Sequence, residues 1–225
     1  LSQPRPGCPN CISLVRGSAR FLDSNTLFVE GNESSRSLKI TARNFIIATG
    51  SRPRTLDEIT VDGSLIMTSD NMMDLTSFPR SMVILGAGIV GCEFATIFAN
   101  FGQTKVYLID RADRILPFED EDVSRVCSTN LEAKGVTIHH RAKLLSMEVI
   151  NDQVEYTIEH HTGGKETIRV ERAVISVGRV PNILGLDLDK AGVVVNEQGC
   201  ITNNNMQTSV SHIYTIGDVS TDKAL

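Results

Sequence analysis

Two kinds of hydrophobic pattern alternate along this chain. Short mixed stretches, Ala19-Arg20-Phe21, Thr26-Leu27-Phe28-Val29 and Leu38-Lys39-Ile40-Thr41, are separated by the turn residues Asp23-Ser24-Asn25 and 31–35. They predict half-buried strands joined by turns, and Leu14-Val15 reads as a further short strand ahead of them. Continuous apolar runs, Phe45-Ile46-Ile47-Ala48, Met82-Val83-Ile84-Leu85, Val106-Tyr107-Leu108-Ile109 and 173–177, predict strands covered on both faces. After the second run, Val90, Phe94, Ile97, Phe98 and Phe101 recur at helical spacing, and Gly102 supplies a C-cap. The acids 119–122 open another helix with Val123, Val126 and Leu131 on its inner face, ending at Lys134-Gly135. A third parallel strand is expected over 136–138. An antiparallel meander follows over 144–149, 154–158 and 167–170, its last two strands joined by Gly163-Gly164. Residues 52–63 carry turn residues and read as a linker. Short strands at Val193-Val194-Val195 and Ile201-Thr202 precede an apolar strand over 213–216 that delivers Asp218 at its carboxyl end. The expected fold is α/β: a parallel sheet, helices and a three-stranded antiparallel meander, without internal repeats.

The run 82–85 leads straight into Gly86-Ala87-Gly88-Ile89-Val90-Gly91, and the run 106–109 ends in Asp110, nineteen residues past Gly91. A glycine triplet alone is weak evidence, but strand, helix and acid all fall where a dinucleotide-binding βαβ unit needs them. Gly86 makes the tight turn, Gly88 admits a pyrophosphate to the backbone, and Gly91 lets the helix pack closely on the sheet. The helix N-terminus offers free N–H groups to phosphate, and Asp110 accepts from the adenosine ribose. A carboxylate there repels a 2′-phosphate, so NAD is expected ahead of NADP. Arg111 and Arg114 offer the opposing reading, a phosphate contact, against the plainer one of solvated loop cations.

Composition narrows the partners. A net charge of −5 over 225 residues leaves no basic footprint for nucleic acid. No apolar run approaches the ~18 residues that span a membrane. The chain opens on leucine without a signal peptide, which suggests a start within a longer protein. Five cysteines, Cys8, Cys11, Cys92, Cys127 and Cys200, form no regular framework, so a reducing cytoplasmic setting is expected. Cys8-Pro9-Asn10-Cys11 is open to a redox or half-zinc reading, but it has no second ligand pair at usable spacing and reads better as two loop thiols. The five histidines, His139, His140, His160, His161 and His212, read as solvent-facing.

Four ordered motifs carry a resemblance: 46–53 (Ile-Ile-Ala-Thr-Gly-Ser-Arg-Pro), 86–91 with Cys92-Glu93, 177–182 (Val-Gly-Arg-Val-Pro-Asn) and 214–219 (Tyr-Thr-Ile-Gly-Asp-Val). Together they resemble the pyridine nucleotide-disulfide oxidoreductases, from about Leu14 onward. The resemblance implies a Rossmann-like FAD/NAD(P)-binding fold in three layers. In it a nicotinamide domain, residues 64–187, is inserted between two pieces of a flavin domain, residues 1–63 and 188–225. It implies NAD contacts at Gly86, Ala87, Gly88, Ile89, Val90, Gly91, Glu93, Asp110, Leu144 and Gly178. FAD contacts are implied at Thr49, Gly50, Ser51 and Asp218. Glu93 would help position the nicotinamide, against the plainer reading of an acid that favours a helix dipole. Ile89 stands where some relatives carry an aromatic gate, so no gate is expected.

The sequence departs from the family by lacking an early flavin glycine fingerprint, the redox C-x-x-x-x-C and the C-terminal interface domain with its H-x-x-x-x-E. No catalytic residue is therefore expected within this chain. Two functions of different class follow. One is part of a homodimeric flavoenzyme passing hydride between NAD(H) and FAD, most like the dihydrolipoamide dehydrogenases and acting on a lipoyl-bearing protein, with the soluble transhydrogenases as alternative. The other is a stand-alone NAD-binding module. Without the first flavin unit, the strand at Phe45-Ile46-Ile47-Ala48 is expected to lie exposed.

Overall fold

The computed structural model describes residues 12–31 and 36–220. Cys8 and Cys11 lie outside them. In chain order the strands and helices are β1 (Ser18–Asp23), β2 (Thr26–Glu30), β3 (Leu38–Thr41), β4 (Phe45–Ile47), β5 (Ser51–Pro53), β6 (Ile66–Thr68), β7 (Ser81–Leu85), α1 (Ile89–Phe101), β8 (Lys105–Ile109), α2 (Glu121–Ala133), β9 (Thr137–His139), β10 (Lys143–Ile150), β11 (Gln153–Glu159), β12 (Lys165–Val170), β13 (Arg172–Ile175), β14 (Arg179–Pro181), α3 (Leu188–Ala191) and β15 (Ile213–Thr215). The chain divides into two compact units, one of residues up to 51 and from 181, the other of residues 52–180.

The 52–180 unit is built on a five-stranded parallel sheet in the order β6-β13-β7-β8-β9. Its apolar runs are continuous because alternate residues serve different cores. Met82 and Ile84 of β7 face a cluster with Cys92, Ala95 and Phe98 of α1 and Leu131 of α2. Val83 and Leu85 face the opposite cluster, with Met147, Val154, Tyr156 and Ile158 of the meander β10-β11-β12. Helices, parallel sheet and antiparallel meander thus form three layers, and a central strand has no solvent face left to be polar.

Packing moves several boundaries and faces. Residues 52–63 are not a free linker: Leu56, Ile59 and Val61 pack on the meander-side core, so the unit begins at 52 rather than 64, and Pro181 to Asp187 fall in the other unit. Strand β6, wholly buried, has only three residues and leaves too short an apolar run to be legible. Helix α1 turns Gly91, Cys92, Ala95 and Phe98 inward and leaves Ile97 and Phe101 exposed. It is nearly apolar all round, so the smallest side chains choose the face by allowing close approach. Phe78 packs on α1, its ring 5.8 Å from that of Phe98 and 4.7 Å from that of Phe101. In α2 the expected stripe fails: Val123 and Val126 are exposed, while Ser124 and Leu131 are buried. Ser124 tolerates burial because its Oγ donates to the Ile115 carbonyl at 2.6 Å. The Asp120 side chain caps that helix, accepting from the Asp122 N–H.

The other unit combines the antiparallel sheet β1-β2-β3 with a parallel pair, β4 and β15. Its core gathers Phe21, Phe45, Ile47, Leu188, Ile201, Ile213 and Val219. Phe21 meets Phe45 edge-on at 5.4 Å, and His212 Nε2 lies 2.7 Å from the Ser24 carbonyl, half-buried rather than solvent-facing. Leu14-Val15 forms no strand. Val195 and Ile201 contribute a single bridge in place of two strands. Strand β4 is not exposed as a whole, because Phe45 and Ile47 point into the core and Ile46 alone is 67% exposed.

Candidate dinucleotide-binding site

The glycine turn sits between the end of β7 and α1. Gly86 has φ +101°, and a Cβ there would fall 2.5 Å from the Ser176 carbonyl. Its N–H donates to the Ile109 carbonyl at 2.8 Å, which ties the turn to the neighbouring strand. Gly91 is tighter still: a Cβ would meet the Gly86 carbonyl at 1.9 Å and Ser176 Oγ at 2.8 Å. What Gly91 clears is therefore chiefly the loop's own backbone. Gly88 is different. It is the N-cap of α1, and nothing lies within 4 Å of where its Cβ would be. Among the described residues no contact demands a glycine there, so the backbone at the helix N-terminus is left open.

Asp110 is fastened into this turn. Its Oδ2 accepts from the Ala87 N–H at 2.6 Å and its Oδ1 from the Ala112 N–H at 2.8 Å. Each carboxylate oxygen keeps a second lone pair free to accept a further hydrogen bond. Ser176, absent from the sequence reading, buttresses the turn, its Oγ 2.9 Å from both the Leu85 and Gly86 carbonyls. The signal available for it was its place directly after the buried strand β13.

These residues line a cleft of about 1070 Å³, ample for an extended ligand. Of the expected nucleotide contacts, Gly86, Gly88, Ile89, Val90, Asp110, Leu144 and Gly178 line it. Ala87 and Gly91 instead hold the turn from behind, and Glu93 is exposed on α1, outside the lining. Three cations line it as well: Arg111, which the sequence offered as an alternative phosphate contact, and Lys143 and Arg179, with Arg179 Nη1 3.3 Å from Ser69 Oγ. Arg114 is turned to the Pro117 carbonyl at 3.1 Å.

In the other unit, the carboxyl ends of β4 and β15 bring the second motif pair together. Ser51 Oγ donates to Asp218 Oδ2 at 2.8 Å, Thr49 Oγ1 to the Asn182 carbonyl at 2.7 Å, and the Asn182 N–H to the Gly50 carbonyl at 2.9 Å. Among the described residues no atom lies within 4 Å of a Cβ built on Gly50 or Gly217. Polar groups at the carboxyl ends of parallel strands, with open glycines beside them, fit one edge of a flavin site. The described thiols offer no redox pair. Cys92, Cys127 and Cys200 are unbridged, and burial pushes the Cys92 thiol up to about 12.

Comparison with known proteins agrees with this geometry. The model of the pyridine nucleotide-disulphide oxidoreductase family matches residues 9–224. A dihydrolipoyl dehydrogenase of Bacillus subtilis is 37% identical over 93% of this chain and 44% of its own length. A soluble pyridine nucleotide transhydrogenase of Yersinia enterocolitica is 35% identical over 93% and 44%. Among solved structures, a HOCl-induced flavoprotein disulfide reductase of Escherichia coli superposes with a TM-score of 0.82 at 29% identity, covering 95% of this chain and 47% of that one. The chain therefore spans less than half the length of these relatives. With a glycine turn open to a ligand, an acid fastened beside it, and a family match running through both units, the chain belongs to the pyridine nucleotide-disulphide oxidoreductases, flavoproteins that pair FAD with a nicotinamide nucleotide.

Proposed function

We propose that this chain is the nucleotide-binding part of an FAD-dependent oxidoreductase that exchanges hydride between NAD(H) and FAD and electrons between FAD and the dithiol/disulfide of a lipoyl-bearing protein, as its dihydrolipoyl dehydrogenase relatives suggest. The observation that carries the reading is the unfilled space over Gly88 at the α1 N-terminus, in a cleft that Asp110 also lines. The N–H groups at 88–91 would hold the pyrophosphate, helped by the helix dipole. Asp110 would hold the adenosine ribose, Leu144 would lie against the adenine, and Gly178 would let the nicotinamide end approach the backbone. Glu93 would steady that end. Thr49, Gly50, Ser51 and Asp218 would contact FAD, which supplies the acceptor for the hydride when bound. The same reading makes the whole protein a cytoplasmic homodimer, in keeping with unbridged thiols in a reducing compartment.

Titrating NADH and NADPH against the whole protein tests the cofactor assignment. NADH is expected to bind more tightly. Asp110→Ala is expected to weaken NADH about tenfold, roughly 1.4 kcal/mol, and to narrow the preference. Equal dissociation constants for the two nucleotides in the unaltered protein would overturn the NAD assignment.

A second acceptor reading, a soluble transhydrogenase, is supported by the 35% identical relatives and by the run 111–116 with its Asp113-Arg114. Arg111 in the cleft lining favours it, since a cation there suits a 2′-phosphate. Assaying NADH-dependent reduction of dihydrolipoamide's disulfide form against reduction of a thionicotinamide nucleotide separates the two. Turnover of only the second substrate selects the transhydrogenase.

A further inference from the structure

Away from the cleft, three strands bring two imidazoles and a carboxylate together. His139 ends the sheet-edge strand β9, His160 follows β11, and Glu166 is the second residue of β12. A tight turn closes this hairpin, with the His160 N–H donating to the Gly164 carbonyl at 2.8 Å. His160 Nε2 lies 3.2 Å from Glu166 Oε2, and the His139 and His160 ring centroids are 5.6 Å apart. One ligating atom from each of the three residues lies within 4.8 Å of the others. None of the three lines the nucleotide cleft.

The surroundings are short of partners. His139 Nε2, His140 Nδ1 and the Tyr156 hydroxyl are buried without a hydrogen-bond partner among the described residues. The Tyr107 ring stacks on His139 at 6.2 Å, and Tyr156 meets Tyr107 edge-on at 6.4 Å, so these orphaned groups belong to one neighbourhood. Buried polar atoms are almost always satisfied, so such a cluster points to a ligand from outside the chain.

We propose that His139, His160 and Glu166 form a binding site for a borderline divalent transition-metal cation, zinc(II) being the best match. Two imidazoles and a carboxylate are a zinc donor set that leaves a coordination position for water. Metal–ligand bonds of about 2.0–2.2 Å place tetrahedral ligands roughly 3.4 Å apart. The His160–Glu166 pair already stands near that spacing, and rotation of these two partly exposed side chains closes the remainder toward the half-buried His139.

The test is zinc(II) titration of the chelator-stripped whole protein by calorimetry, with cobalt(II) as spectroscopic probe. One ion per chain is expected. His160→Gln and Glu166→Gln are each expected to weaken binding at least tenfold, while Cys8→Ser/Cys11→Ser leaves it unchanged. Cobalt(II) is expected to give visible ligand-field bands without a thiolate charge-transfer band. Both test side chains are partly exposed, so the variants should keep the parental circular dichroism. Three outcomes overturn the site: no stoichiometric binding, undiminished binding in both the His160 and Glu166 variants, or loss of binding with the cysteine pair replaced.

Discussion

The two units give the same kind of sequence two different fates. Met82-Val83-Ile84-Leu85 and Phe45-Ile46-Ile47 are both uninterrupted apolar runs. The first becomes β7, flanked by β13 and β8, with helices over one face and the meander over the other. The second becomes β4, paired with β15 and covered on one face. An apolar run reports that a strand is suited to burial. The layers around it decide how many of its residues are buried. In the 52–180 unit the answer is all four; in the other unit Ile46 is left outward.

The sharpest way to break this contrast is a pair of truncations. Ile84→Ala is expected to destabilise the 52–180 unit by about 4 kcal/mol, since it removes buried atoms from a strand that cannot collapse. Ile46→Ser is expected to stay within about 0.5 kcal/mol and to reduce aggregation. Equal losses in chemical denaturation of the two variants would erase the distinction.

Within the glycine turn the contrast is between space the fold uses and space it leaves. Gly91→Ala is expected to cost about 3 kcal/mol, because the new methyl meets backbone that cannot yield. Gly88→Ala is expected to cost no more than about 1 kcal/mol in stability, yet to weaken NADH binding at least tenfold. Thermal melts set beside nucleotide titrations read both quantities. Unchanged NADH affinity in Gly88→Ala would mean that the open space serves no ligand.

A smaller effect probes the segment that proved not to be a linker. Asp62 Oδ1 accepts from the N–H groups of Ser64 and Leu65 at 2.7 Å and of Ile66 at 3.1 Å, fastening the turn into β6. Burial alone raises this carboxyl, but the backbone donors outweigh it and the net shift is downward from 3.8. The folded state therefore binds fewer protons, so the contribution is present above the ordinary carboxylate range and is lost as pH falls through the lowered folded value. Asp62→Ala is expected to cost about 1 kcal/mol at neutral pH, by analogy with a lost cap. The gap between variant and parent should close in acid. A pH-independent gap in denaturation midpoints would remove the carboxylate from the account.

The smallest effect is chemical. Cys92, pushed up by burial, is expected to resist alkylation at pH 8 in the folded protein, while the half-buried Cys127 is modified first. Peptide mapping after brief iodoacetamide treatment reads the order. Faster labelling of Cys92 would mean that α1 opens away from the sheet.

Legibility in the sequence followed the range of the interaction. The glycine turn, Asp110 and the hairpin at Gly163-Gly164 were readable because backbone turns and strand alternation are demands on neighbours in the chain. The stripes of α1 and α2 were misread for opposite reasons. Helix α1 is apolar nearly all round, so its pattern does not choose a face. Helix α2 buries Ser124 through a hydrogen bond to Ile115 that hydropathy does not register. His161 is exposed as read, but His139 and His160, also read as solvent-facing, are partly buried because pairing between separate strands brings them together.

By itself, then, the sequence determined the parallel strands, the glycine turn and the acid beside it, each encoded by residue type within a few positions. Only the tertiary structure decided that Gly91 makes room for the loop's own backbone while Gly88 is left open. It also decided that Arg111, Lys143 and Arg179 join the cleft, and that His139, His160 and Glu166 meet. These are contacts between residues distant in the chain. Close packing of layers creates them, and no local periodicity records which surfaces will touch.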